Sequence, residues 1–227
     1  MSILPPFVLD AFWGAFSAHH LPALASSLRS LSPLTQPKAL SSLIQILSLL
    51  PDPKSEPYFR RFLLHPEQSK GLPTLVAAAF VRGIDWKRPS GPGYICTLLI
   101  HFLFWCDPSQ GDDGKASIDA SVRTELSEKL EKLMEHPDIR QLEELQRVEV
   151  ERLLGVLKAV QGMPGDYYLS STRQHLEDQV CSCANPSCGE EGDLTCSKCK
   201  SVRYCGKRCQ TWHWKNGHKL QCFQTTL

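Results

Sequence analysis

The last fifth of the chain holds eight of its ten cysteines, and their spacing is that of metal ligands. Four ligand pairs follow one another, with four intervening residues in the first, two in the second and three in each of the last two: Cys183 and Cys188, Cys196 and Cys199, Cys205 and Cys209, and His218 and Cys222. Thiolates with one imidazole are the donors that zinc prefers, and a structural zinc ion takes four of them. Eight such ligands therefore predict two tetrahedral zinc ions.

Each pair has a local geometry that suits a metal. The first two pairs surround tight turns, at Asn185-Pro186 and Ser197-Lys198. The last two have i,i+4 spacing, which places both ligands on one face if the segment is helical. Because the protein would fill all four positions of each ion, no site remains for a catalytic water, and we expect both ions to be structural.

The segment from residue 181 onward offers few residues for a hydrophobic core. The candidates are Leu194, Val202, Tyr204, Trp212, Trp214, Leu220 and Phe223. So small a core cannot offset the entropy lost on ordering the chain. Structural zinc contributes about 10–16 kcal/mol of apparent binding energy, so we expect the metal to hold the segment together.

An even number of cysteines could instead form disulfides, which require an oxidising compartment. The start of the chain has no basic region and has two early prolines, which is atypical of a secretory signal. Cys96 and Cys106 stand isolated in apolar sequence, as in proteins of a reducing compartment. We therefore expect an intracellular protein of the nucleus or cytoplasm.

The whole segment CANPSCGEEGDLTCSKCKSVRYCGKRCQTWHWKNGHKLQC, residues 183–222, closely resembles the MYND-type zinc finger. The resemblance covers about a fifth of the chain and implies a cross-brace, in which the ligand pairs alternate between the ions. It assigns Cys183, Cys188, Cys205 and Cys209 to the first zinc ion. It assigns Cys196, Cys199, His218 and Cys222 to the second.

Three details depart from the family pattern. The first pair is more widely spaced than is common in the family, so Cys181 could compete with Cys183; we favour Cys183 as the ligand. Asn216-Gly217 adds a residue before His218, which a turn can absorb. His213 stands where the family often has Asp or His, and we interpret it as a surface residue.

Fingers of this family are protein-interaction modules for short proline-containing peptides, in which an equivalent Gln and Trp contribute. Here the equivalent residues are Gln210 and Trp214, at i,i+4 spacing. A tryptophan ring packs on pyrrolidine while an amide bonds the peptide carbonyls. The resemblance thus implies a scaffold or adaptor that recruits a protein partner. The other interpretation is that Trp214 belongs to the finger's small core.

The competing function is a transcriptional or chromatin regulator that contacts DNA through Lys207, Arg208 and neighbouring basic residues. From residue 181 on, the chain has seven basic and three acidic residues. Seven thiolates with two Zn²⁺ ions contribute −3, which offsets much of that +4, and the whole chain carries only +1, so the charge argues against nucleic acid.

We expect no enzymatic activity. MYND fingers also occur in SET-domain lysine methyltransferases, but the sequence lacks their Asn-His signature and a strand-rich region. It also lacks a phosphate-binding loop. A cross-braced RING-type ubiquitin ligase has a different ligand spacing, with a histidine in the middle pairs.

Residues 1–160 must supply the framework, and their pattern is that of helices separated by prolines. A first helix and a second, shorter one are predicted on either side of Pro22. A central buried helix is predicted over SGPGYICTLLIHFLFWC, residues 90–106, and its apolar run, residues 94–106, is too short to span a membrane. DPSQGDDGKAS, residues 107–117, is predicted to be a loop.

We thus predict a mainly α protein: an α-helical domain over residues 1–160, either a bundle or armadillo-like. A linker over 161–180, with a short helix at 171–179, would join it to the zinc finger at 181–227. The composition, 42% hydrophobic and 22% charged, is that of an ordinary globular protein.

Overall fold

The computed structural model describes residues 5–83, 91–136 and 143–225. As predicted, the fold is mainly α-helical. The helices are α1 (Pro6–Ser30), α2 (Pro37–Ser48), α3 (Pro57–Leu64), α4 (Pro66–Ser69), α5 (Leu72–Arg82), α6 (Pro92–Trp105), α7 (Ala120–Glu135), α8 (Glu144–Gly162), α9 (Tyr167–Val180), α10 (Lys207–His213) and α11 (Lys219–Gln221). A 3-10 turn spans Pro108–Gln110. Two short strands, β1 (Leu194–Thr195) and β2 (Arg203–Tyr204), pair antiparallel, with Leu194 opposite Tyr204.

The chain divides into two compact units, each assembled from separate segments. Unit 1 comprises Met1–Pro22, Pro51–Phe62 and Arg173–Leu227, and unit 2 comprises Ala23–Leu50 and Leu63–Thr172. The cysteine-rich segment therefore shares its unit with residues from near the start of the chain. The domain boundaries predicted at residues 160 and 180 stay a prediction.

Helix α6 forms the centre of unit 2, in agreement with the prediction of a buried central helix. It packs against α8 and also contacts α2 and α5. Its buried side chains are Ile95, Cys96, Leu98, Leu99, Ile100, Phe102, Leu103 and Trp105. This helix is apolar on nearly every face because neighbouring helices cover it. In the described residues, no helix combines the length and the apolar character that a membrane span needs.

Gly93 allows α8 to approach the start of α6. A Cβ atom on Gly93 would lie 2.6 Å from the Cα of Gln146. The side-chain oxygen of Gln146 accepts a hydrogen bond of 2.7 Å from the backbone N–H of Gly93. The glycine therefore permits both the close packing and the bond that satisfies a free N–H at the helix start.

The predicted loop between α6 and α7 is present and is held by its own polar residues. Arg123 of α7 is buried, forms an ion pair with Asp113, and donates to the carbonyl of Ile118. The Asp112 carboxylate accepts from the N–H of Ala120 at the start of α7, at 2.8 Å. These bonds fix the loop against the helix that follows it.

The prediction of two helices at the start of the chain was wrong, because α1 is one helix with Pro22 inside it. Proline removes one backbone hydrogen bond from a helix interior. The buried stripe of α1 continues on both sides of Pro22, through Ala18, Leu21, Ala25 and Leu28. Burial of that stripe offsets the missing bond. Helix α9 is also longer than predicted, since it begins at Tyr167.

Candidate metal centre

The second ligand pair lies at a turn between the two strands. The N–H of Cys196 donates to the carbonyl of Val202 at 3.0 Å, and the N–H of Lys200 donates back to the carbonyl of Cys196 at 2.9 Å. Lys200 has a φ of 58°, a left-handed conformation uncommon for a residue other than glycine. Its carbonyl accepts a 2.8 Å bond from the Arg61 guanidinium, so α3 holds this turn in place.

The first ligand pair lies at the predicted Asn185-Pro186 turn. The N–H of Cys188 donates to the carbonyl of Asn185 at 2.9 Å, which closes the turn. The N–H of Cys183 donates to the carbonyl of Glu190 at 2.8 Å. The side-chain amide of Asn185 lies 3.3 Å from the Sγ atom of Cys209 and donates toward it. This contact links the first pair to the third.

The last two pairs are arranged differently from the prediction that each lies on a helix. Cys205 precedes α10, whereas Cys209 lies in its first turn, and Gly206 separates the strand from the helix. The fourth pair is set by a kink at Asn216-Gly217, where Gly217 has a φ of 141°. The extra residue is absorbed there, and His218 and Cys222 flank the short helix α11.

The structure brings the eight predicted ligands together as two clusters of four. In each cluster the ligand atoms all lie within 4.8 Å of one another. The first cluster contains Cys183, Cys188, Cys205 and Cys209, and the second contains Cys196, Cys199, His218 and Cys222. The pairs thus alternate between the clusters, which is the cross-brace that the family resemblance implies.

The distances between ligand atoms fit tetrahedral zinc. The Sγ atom of Cys205 lies 3.6 Å from those of Cys188 and Cys209. In the second cluster, Cys196 and Cys222 have their Sγ atoms 3.8 Å apart. Zinc–sulfur bonds of about 2.3 Å at tetrahedral angles require sulfurs about 3.8 Å apart. A disulfide requires about 2.05 Å, and all ten cysteines are free, so the disulfide alternative does not apply.

His218 completes the second cluster with its Nε2 atom. That nitrogen lies 3.4 Å from the Sγ of Cys196 and 3.7 Å from that of Cys199. Burial lowers the pKa of His218 to about 4. Its imidazole is therefore neutral near pH 7, which is the form that binds metal.

Backbone N–H groups lower the pKa of two buried ligand thiols, Cys183 and Cys196, whereas burial raises the pKa of the other two, Cys199 and Cys222. Burial tends to raise the pKa of Cys183, but hydrogen bonds from the N–H groups of Asn185 and Cys205 outweigh it and lower the pKa to about 7. The pKa of Cys196 is also lowered: burial opposes the shift, and the N–H groups of Cys199 and Lys198 bring it about. Hydrogen bonds to a thiolate favour the charged form that coordinates zinc.

Among the described residues, Cys181 belongs to neither metal cluster. Its Sγ atom accepts a 3.5 Å contact from the guanidinium of Arg203, and its backbone N–H closes the last turn of α9 onto Glu177. Cys183, the residue favoured as the ligand, lies in the first cluster.

The core of the finger differs from the one expected, because most candidate residues are exposed. Leu194 and Leu220 are 46% and 72% exposed, and Trp212 and Trp214 are 41% and 38% exposed. Tyr204 alone among the candidates is fully buried, and Val202 and Phe223 are partly buried against the same cluster. The cysteines themselves make up most of this core.

Two residues from distant segments complete that core, and the sequence analysis missed both. Ala18 of α1 and Tyr58 of α3 are buried in the same cluster as Cys199 and Cys222. Sequence periodicity could identify them as inward-facing positions of helices, but it carries no signal for which surface they contact.

His213 was wrongly interpreted as a simple surface residue. Its Nδ1 atom lies 3.0 Å from the hydroxyl of Tyr204, and its ring stacks on that of His218 with centroids 5.0 Å apart. Partial burial lowers its pKa. His213 therefore supports a metal ligand from the side, in the way that residues surrounding a metal site orient its ligands.

Gln210 and Trp214, the predicted peptide-binding residues, lie one helical turn apart. The backbone N–H of Trp214 donates to the carbonyl of Gln210 at the end of α10. The Trp214 ring packs edge-on against His218, with centroids 5.9 Å apart. With 38% of its surface exposed, Trp214 is not the buried core of the finger.

Comparison with known proteins assigns residues 181–222 to a family and gives no family for the rest of the chain. Residues 181–222 match the family model described as MYND finger. The C-terminal region is therefore a MYND finger, a zinc-binding protein-interaction module, and its two Cys/His clusters are consistent with two zinc ions. No solved structure matches the chain significantly.

The curated relatives share a short segment with this chain. A match of 63 residues at 41% identity, 28% of this chain and 9% of the relative, is to ubiquitin carboxyl-terminal hydrolase 19 of Arabidopsis thaliana. A match of 47 residues at 43% identity, 21% of this chain and 12% of the relative, is to programmed cell death protein 2 of Mus musculus. The chain thus spans only about a tenth of the length of these relatives.

Proposed function

We propose that this protein is an interaction adaptor whose finger recruits a protein partner through a short proline-containing peptide. Zinc is structural in this proposal, and the protein itself is not an enzyme. Both clusters offer four protein ligands, which leaves no coordination position for a reacting water. Zinc-binding thiolates persist in a reducing compartment, which supports a location in the nucleus or cytoplasm.

The observation that carries the proposal is the exposed ring of Trp214 beside Gln210. A tryptophan ring provides a flat apolar surface for proline, and a neighbouring amide can bond the peptide carbonyls. The ring rests on His218, which is itself fixed in the second cluster, so it is held in place before any partner binds. A preorganised ring loses little conformational entropy on binding.

The relatives named for ubiquitin hydrolysis do not extend that activity to this chain. The match covers 9% of the plant hydrolase, and residues 181–222 form a module that such proteins can share without sharing chemistry. These matches support the view that the finger is a module that recruits partners in different proteins.

An array of proline-rich peptides, probed with the zinc-loaded full chain, tests the proposal. Binding should fall at least about tenfold with Trp214→Ala, since an aromatic anchor of this kind contributes about 2 kcal/mol or more. Trp212→Ala is the matched control, because Trp212 is equally exposed but two residues earlier on the helix. Equal losses in both variants, or no binding by the wild-type protein, would contradict the proposal.

A further inference from the structure

A cavity of about 300 Å³ lies within unit 1, beside the second metal cluster. Residues of α1, of the segment around α3, and of the finger line it. Asp10 and Ser55 are exposed, whereas Glu56, Tyr58 and His218 are buried. The lining of the cavity thus includes both exposed and buried residues. Its volume is at the lower limit for small-ligand pockets and suits one extended side chain.

The charged residues that line the cavity are acidic. Asp10 and Glu56 both line it, and no lysine or arginine is among the described lining residues. Glu56 is 5% exposed, and its carboxylate accepts hydrogen bonds from the N–H groups of Tyr58 and Phe59. Burial raises the pKa of Glu56 in spite of these bonds and of the nearby charge of Arg60. A cation placed beside this carboxyl group would favour its charged form.

The remaining walls suit the rest of a long basic side chain. Trp13 and Tyr58 contribute aromatic rings, and Val202 and two prolines contribute apolar surface. Aromatic faces attract ammonium and guanidinium groups, and apolar walls accommodate the methylene stem of lysine or arginine.

From this combination we propose that the cavity binds a lysine or arginine side chain of a protein partner. This inference rests on the proposed function, because it assumes that the partner is a protein. His218 connects the two sites, because it lines the cavity and its ring also packs against that of Trp214. A peptide bound at Trp214 could therefore place a basic residue in the cavity, which would make the recognised motif a proline with a nearby basic residue.

The test uses the zinc-loaded full chain, labelled with ¹⁵N, and N-acetyl-lysine-methylamide as the probe. The lysine derivative should shift the indole N–H signal of Trp13 and the backbone N–H signal of Tyr58 in a saturable way. N-acetyl-norleucine-methylamide, which keeps the stem and lacks the charge, should bind about tenfold more weakly. Asp10→Asn should weaken lysine binding about threefold, as expected for an exposed ion pair.

Asp193→Asn is the control, because it removes the same charge from an exposed residue of the finger outside the cavity. It should leave lysine binding unchanged. Equal binding of the lysine and norleucine derivatives, equal effects of the two Asp→Asn variants, or no shift at about 20 mM probe would overturn the proposal. Cadaverine binding more tightly than the lysine derivative would also overturn it, since the occupant would then be a free amine.

The same samples separate this inference from the proposed function. Trp214→Ala should abolish binding of proline peptides and leave binding of the lysine probe intact. Lysine binding in a protein that binds no proline peptide would reject the role of Trp214 while supporting the cavity. The reverse result would reject the cavity alone.

Discussion

The hydroxyl of Tyr58 donates a 2.6 Å hydrogen bond to the carbonyl of Gln221 and accepts a 2.8 Å bond from the N–H of Phe223. These two backbone groups stand on either side of Cys222, a residue of the second cluster. One side chain, 163 positions before Gln221 in the chain, thus fixes the backbone that presents Cys222 as a metal ligand.

Tyr58→Phe should lower the free energy of unfolding by about 1–3 kcal/mol, because it leaves two partly buried backbone groups without partners. It should also speed the loss of one zinc ion to a chelator more than that of the other, since the Tyr58 hydroxyl bonds the backbone on both sides of Cys222, a ligand of the second cluster. Urea unfolding and a colorimetric chelator assay measure the two effects. Tyr167→Phe, at a tyrosine that is 65% exposed, is the control and should change neither quantity.

Cys183→Ser should reduce the zinc content of the purified protein from two ions to one, because it removes a ligand of the first cluster. Native mass spectrometry counts the ions directly. Cys205→Ser should give the same result. Cys181→Ser should retain two ions, and a loss of zinc in that variant would show that Cys181 replaces Cys183 as the ligand.

Gly217→Ala should destabilise the protein by about 1–2 kcal/mol, because an alanine at a φ of 141° is strained. The strain should also displace His218 and weaken binding of the second zinc ion. Gly155→Ala is an instructive counterpart, since it lies in the exposed interior of α8 with nothing near the added methyl group. Gly155→Ala should stabilise the protein by about 0.5–1 kcal/mol. Thermal unfolding would show that the two substitutions change the stability in opposite directions.

Asp113→Asn should lower the free energy of unfolding by about 1–2 kcal/mol at pH 7, because it leaves the buried guanidinium of Arg123 without its ion-pair partner. The hydrogen bond from Arg123 lowers the pKa of Asp113. The ionised Asp113 carboxylate therefore adds to the free energy of unfolding of the wild type above the ordinary carboxyl pKa. This contribution is lost as the pH falls through the lower, folded-state pKa.

Urea unfolding of wild type and variant at pH 7 and pH 3 measures that difference. The difference in free energy of unfolding between wild type and Asp113→Asn should be smaller at pH 3 than at pH 7. Glu128→Gln, at an exposed position of α7, should stay within about 0.5 kcal/mol of wild type at both pH values. A gap that is equally large at pH 3 would show that the charge of Asp113 is not what stabilises the loop.

The metal clusters could be predicted from sequence because a tetrahedral ion imposes local rules. Two ligands of one ion that are close in sequence must lie on one turn, so the spacing of Cys196 and Cys199 alone predicts a turn between them. The central helix α6 was predictable for a similar reason, since a continuous apolar run must be covered. In both cases the information lies within a few neighbouring residues.

The support for the second cluster could not be predicted in this way. Ala18 contacts the finger through packing, which is non-directional. Tyr58 adds hydrogen bonds to backbone groups, which nearly every residue has, so neither contact leaves a pattern that pairs distant positions. The continuation of α1 through Pro22 was missed for the same reason, because burial of its stripe overrides a local helix-breaking preference. His213 was misjudged because its contact with Tyr204 depends on how α10 packs over the strands.

The assembly of unit 1 from three segments has a consequence for synthesis of the protein. Ala18 and Tyr58 are translated before most of unit 2, whereas their partners in the finger are translated after all of it. All segments of unit 2 are complete before the finger emerges, so that unit can fold on the nascent chain first. Unit 1 can form only after the finger has also emerged, and capture of zinc by the finger is then the step that gives these earlier residues their partners.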